Sequence, residues 1–190
     1  MKVKRSRWIL SLVTICLLLS TLACGGPKEP VIETPAKEMN FSAADIGSGW
    51  SQIADTGLDE MPDFKQAHIQ DANMRMFGPE GAIGMVMSIV ISTKSVASAQ
   101  TEMAGDTVKN MGKNLQEQVP GATLSTLEPP EIGDEAVMVG GSHPDTGLNI
   151  YLLTFRKANV VAMLSLVAPA DFATEEAAVE YGRKLEGNIR

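Results

Sequence analysis

Cysteine is almost missing from this chain. Two occur in 190 residues, Cys16 and Cys24, and both fall in the N-terminal segment. Everything after residue 24 must therefore fold without a disulfide, on its own core. Histidine is as scarce. His68 and His143 are far apart in sequence, and neither has a second histidine, cysteine or repeated acid at metal-ligand spacing. A catalytic imidazole needs an oriented partner, and the sequence names none. There is no glycine-rich phosphate loop after a strand and no Gly-x-Ser-x-Gly elbow. No catalytic residue and no cofactor is assigned on this reading. Long apolar runs are missing too. The uncharged run "WILSLVTICLLLS", residues 8–20, is shorter than the roughly 20 residues a membrane-spanning helix needs.

That short run has another use. Lys2, Lys4, Arg5 and Arg7 precede it, which makes the basic and apolar regions of an export signal. It ends in "TLAC", residues 21–24. The tetrapeptide resembles the lipobox of bacterial lipoproteins. The resemblance implies that the Cys24 sulfur receives a diacylglycerol, that the signal peptide 1–23 is removed, and that the new amine is acylated, as by palmitate. Two or more chains make a stable anchor at about 0.8 kcal/mol per buried methylene. Gly25, Gly26, Pro27, Pro30 and Pro35 then read as a flexible tether over residues 24–40. Cleavage removes four of the 16 basic residues and none of the 23 acidic ones, leaving 12 against 23, a net charge of −11. Such a chain is repelled by nucleic acid and by anionic headgroups. Its membrane partner is reached through the lipid. No inner-membrane retention signal follows Cys24.

Residues 41–190 read as a single α+β domain. Ser42 and Gly47 bound a short helix. Strands are expected over 67–77 and 82–92 around "GPEG", then over 122–128, 135–140, 148–156 and 159–168. A helix is expected over 95–118, stopped by Pro120 and Gly121, and a second after the N-cap Thr174. "IYLLTF" and "VVAMLSLV" are apolar at nearly every position. A strand with one wet face alternates, so both faces of this hairpin should be covered. The two long helices can share one face, or one can cross to the other. The expectation is internal cover, a buried Trp50 and a monomer.

"ADIGSGW" at 44–50, "IGDEA" at 132–136, the hairpin around "RKANVV" and the closing helix resemble a group of small bacterial lipoproteins. They also resemble the extracellular sensor domains of some actinobacterial Ser/Thr kinases. The resemblance implies a PsbP-like sandwich, an antiparallel sheet of five to six strands flanked by helices. It implies a binding or scaffold role in the envelope, with no agreed ligand.

Three motifs invite chemistry. "DTGL" occurs at Asp55–Leu58 and Asp145–Leu148. Paired Asp-Thr-Gly turns carry the carboxylate dyad of aspartic proteases. Here leucine follows each turn and no apolar strand precedes the second, so surface turns are the simpler reading. Met74 and Met76, like Met85 and Met87, sit two apart and share a strand face. If the hairpin pairs residues whose numbers sum to an odd value, all four thioethers share one face, which suits Cu(I). In a sheet covered on both sides, methionine instead fills core space, and no copper binding tighter than micromolar is expected. "GDEA" contributes Asp134 and Glu135 as ligand-facing candidates beside Trp50, although strand initiation after Pro129–Pro130 explains the motif as well. The reading is a membrane-anchored, non-catalytic binding module outside the cytoplasm. Its ligand would be a protein, an envelope polymer or a small apolar molecule. A methionine-based Cu(I) carrier is the alternative, and a hydrolase built on the two Asp-Thr-Gly turns the remoter one.

Overall fold

The computed structural model describes residues 30–190. The signal peptide, Cys24 and residues 25–29 of the expected tether lie outside the described residues. Seven strands form one antiparallel sheet: β1 (Trp50–Gly57), β2 (Ile69–Pro79), β3 (Met85–Thr93), β4 (Thr123–Leu127), β5 (Glu135–His143), β6 (Leu148–Lys157) and β7 (Val160–Pro169). Their order across the sheet is β1-β2-β3-β7-β6-β5-β4. The helices are α1 (Ala36–Met39), α2 (Ala43–Ile46), α3 (Val96–Met103), α4 (Asp106–Lys109), α5 (Met111–Gln118) and α6 (Glu175–Asn188). None of the described helices is long and apolar enough to cross a membrane.

The strand count exceeds the expected five to six because of β1. Its sequence, "WSQIADTG", shows no clean alternation, because it lies at an edge and most of its side chains reach solvent. Pairing with β2 creates this strand, and a bulge between Gln52 and Ala54 breaks its register. The expected helix over 95–118 is also modified: it forms three pieces, α3 to α5. Ser95 caps the first through the Ser98 amide. Gly105 then turns extended and starts α4.

Alternation sorts the sheet into two faces. On the first lie Phe77, Val86, Leu164, Leu166, Leu153 and Phe155, all buried. The closing helix α6 and the segment containing α1 and α2 cover them, through Ala178, Leu185, Ile189, Met39 and Phe41. On the second face, α3 lays Ala99 and Met103 against Val161. Residues 58–64 lay Met61 against Ile69, Ala72 and Ile91. The two long helical segments therefore cover opposite faces, which answers why the β6–β7 hairpin is apolar on both sides. Trp50 is half-buried against the first-face core, less enclosed than expected.

The packed unit begins at Val31, ahead of the boundary expected at residue 41. Ala36 and Met39, read from sequence as tether, are fully buried. Burying side chains such as Met39 and Phe41 stabilises by about 1.5–3 kcal/mol each. Polar side chains hold the segment in place. Asn159, itself fully buried, accepts from the Ile32 amide at 2.6 Å and donates to the Ile32 carbonyl at 3.2 Å. Asp71 accepts from the Ala36 amide at 2.8 Å. Asn40 donates to Asn73 Oδ1 at 2.9 Å and accepts from the Ser88 hydroxyl.

Candidate functional site

The register of β2 and β3 decides the methionine question. Met76 pairs with Met87, so the sum is odd and Met74, Met76, Met85 and Met87 all share the second face. Ile89 pairs with Met163 of β7, which brings a fifth thioether to that face. Sequence reading missed Met163, because its facing depends on a long-range register between β3 and β7. All five are half-buried. Met74 and Met163 pack against the cluster under residues 58–64. None of the three packed clusters of described residues contains Met76, Met85 or Met87. At the end where β2 turns into β3, Met76, Met85 and Met87 are thus only partly buried, apolar and flexible.

A second concavity lies on the first face, at the β1 edge. It is polar, about 490 Å³, and is lined by Lys37, Asp55, Asp59, Glu60, Asp71 and Asn73. Asp55 accepts from Asn73 Nδ2 at 2.8 Å and sits 3.2 Å from Lys37 Nζ and 3.5 Å from Arg75 Nε. The Asn73 hydrogen bond, chiefly, holds the Asp55 carboxyl below its ordinary range; Lys37 and Arg75 add to this, against the opposing effect of burial. Arg75 Nη1 in turn donates to the Phe41 carbonyl. The charges here bind the N-terminal segment to the sheet edge, and Asp71 does the same through the Ala36 amide.

The other candidate residues do not converge. Asp55 lies on β1, while Asp145 lies in the turn between β5 and β6. At least four strand spacings separate them, roughly 19 Å. A protease dyad needs hydrogen-bond distance, so the two Asp-Thr-Gly tripeptides form none; the first is part of strand β1 rather than the surface turn expected, because it pairs with β2. Trp50 opens β1 at one edge of the sheet; Asp134 precedes and Glu135 opens β5 near the other. Asp134 Oδ2 accepts from Arg156 Nη1 and from the Ala158 amide, each at 2.8 Å. It thereby braces the β6–β7 turn, where Ala158 adopts a left-handed φ of 52°. Gly133 precedes it at φ 63°, and a Cβ there would meet the Arg156 carbonyl oxygen at 2.2 Å. Glu135 lies 3.8 Å from Arg156 Nε. The "GDEA" motif thus does backbone work. His68 pairs with Glu102 of α3, and His143 bonds the Pro120 carbonyl. Among the described residues no three His, Cys, Asp or Glu side chains group as for a metal ion.

No protein-family model matches the sequence, and no curated protein matches it. Solved structures do. The extracellular domain of PknH from Mycobacterium tuberculosis superposes with a TM-score of 0.59 at 10% identity, over 86% of this chain and 98% of that one. The chain therefore shares its fold with the extracellular domain of PknH. A Rv0999 ortholog from Mycobacterium smegmatis matches with a TM-score of 0.45 at 13% identity, over 86% of this chain and 98% of that one.

Proposed function

We propose that this protein is a non-catalytic binding module of the cell envelope, held to the membrane through lipidated Cys24, with the second face of its sheet as the ligand face. One observation carries the binding role. Met76, Met85 and Met87 lie partly buried on one face and, among the described residues, outside every packed cluster. Methionine is flexible and polarisable, and suits surfaces that accept apolar partners of varied shape. The anchoring rests on the lipobox-like "TLAC" after a basic, then apolar, leader. The fold, shared with the extracellular domain of PknH, supports the placement outside the cytoplasm.

Binding of a neutral apolar dye such as Nile red to the full chain in solution tests the reading. Met76→Gln with Met87→Gln keeps side-chain length and makes the face polar. Dye binding should fall in that variant with little change in melting temperature. Equal binding by both proteins would remove the face from consideration.

A further inference from the structure

Resting on that reading, we infer that the methionine face, at the end where β2 turns into β3, is a binding site for a soft monovalent metal ion, Cu(I) in the cell. The expectation from sequence ran the other way, on the ground that a sheet covered on both sides buries its methionines. Met76, Met85 and Met87 are instead partly buried, each keeping some accessible surface. Met76 on β2 and Met87 on β3 are direct cross-strand partners, so their Cβ atoms lie about 4.5–5.5 Å apart. Met85 is two residues from Met87 on the same strand and face, and diagonal to Met76, a spacing of about 7–8 Å that long side chains span. Three rotatable bonds per side chain let the sulfurs turn toward one point above the sheet. Met74, diagonal to Met87 on the other side, is a fourth donor in reach.

The donor set selects the ion. Thioethers are soft and neutral; they favour Cu(I) and Ag(I) over zinc, magnesium or calcium. The two histidines take no part, since His68 bonds Glu102 and His143 bonds Pro120. A site of thioethers alone holds no proton to displace. Binding should therefore persist into acid, where imidazole and thiolate sites fail. The net charge of −11 for residues 24–190 favours any cation, without selectivity. Selectivity comes from the sulfurs.

The test uses the full chain in detergent, with Cys16→Ser and Cys24→Ser to remove competing thiols, and Ag(I) as the redox-inert probe. Methionine methyl resonances and competition titrations are read together at pH 5 and pH 7. Expected are one ion per chain, tighter than about micromolar at both pH values, with shifts confined to Met74, Met76, Met85 and Met87. Met76→Leu with Met87→Leu keeps the volume and should weaken binding by about tenfold or more. Met138→Leu, a sulfur buried on the other face, should leave it unchanged. No saturable binding, or equal binding in the Met76→Leu, Met87→Leu protein, overturns the inference. If Nile red still occupies the face in that case, the metal assignment alone fails. If the dye does not bind either, the binding-face reading fails with it.

Discussion

Replacing Asn159 by alanine should loosen the N-terminal segment and lower the stability of the whole unit. The carboxamide is fully buried and makes three hydrogen bonds: from the Ile32 amide at 2.6 Å, to the Ile32 carbonyl at 3.2 Å and to the Thr93 carbonyl at 2.7 Å. Each contributes about 1 kcal/mol net, and the partners left inside without a donor or acceptor add to the cost. The expected loss is about 3 kcal/mol, a large part of the roughly 5–15 kcal/mol that holds a typical domain. For a unit of this size that lowers the melting temperature by about 6–12 °C. Urea denaturation gives the free energy, and hydrogen exchange at the Ile32 amide gives its location. A loss below about 1 kcal/mol with Ile32 still protected would refute the reasoning. Asn159→Asp is a sharper variant. Its carboxylate would face the Ile32 and Thr93 carbonyls, so burial and repulsion raise its pKa in the folded state. A raised folded pKa means that stability is present in acid and lost as pH rises through it.

Further outcomes are expected. Asp55 has a lowered folded pKa, so its contribution is present above its ordinary value of 3.8 and is lost as pH falls through the folded value; Asp55→Asn should flatten the acid limb of the stability curve, and an unchanged limb would contradict the assigned hydrogen bonds. Gly133→Ala places a Cβ against the Arg156 carbonyl at φ 63° and should cost several kcal/mol, read by thermal melting; a cost near zero would mean the β6–β7 brace is misassigned. Cys24→Ala should abolish lipid labelling and leave an uncleaved precursor in cells, whereas normal detergent-phase partitioning of that variant would exclude the lipid anchor. A chain starting at residue 41 should melt far below one starting at residue 31, because Ala36, Met39 and Asn40 are buried; equal melting would show that the segment adds nothing.

The parts of the fold visible in sequence were those with strong local signals. Thr174 with Glu175 and Glu176 marks α6, and turn residues bound the β2–β3 hairpin. The doubly apolar β6 and β7 announced packing against both faces of the sheet. What escaped notice depends on distant partners. β1 is a strand only because β2 offers an edge, and its own side chains face water. The prolines before residue 36 suggest a tether, yet Asn159 and Asp71, more than thirty residues away in sequence, capture that backbone. The methionine face was legible as a condition on the register, not as a fact. Parity along each strand is local, but the pairing of Met76 with Met87 and of Ile89 with Met163 is tertiary.

The central claim, that Met76, Met85 and Met87 are accessible on the second face, is measured most directly by timed oxidation with dilute hydrogen peroxide and peptide mass spectrometry. Each event adds one oxygen to a thioether and releases water. The account predicts that Met76, Met85 and Met87 oxidise first, with Met74 and Met163 next, while Met39 and Met138, fully buried, and Met103, at 3% exposure, remain protected until unfolding. Protection of Met76, Met85 and Met87 equal to that of Met39 and Met138 would contradict it, because the face would then be covered and could receive neither a ligand nor a metal ion.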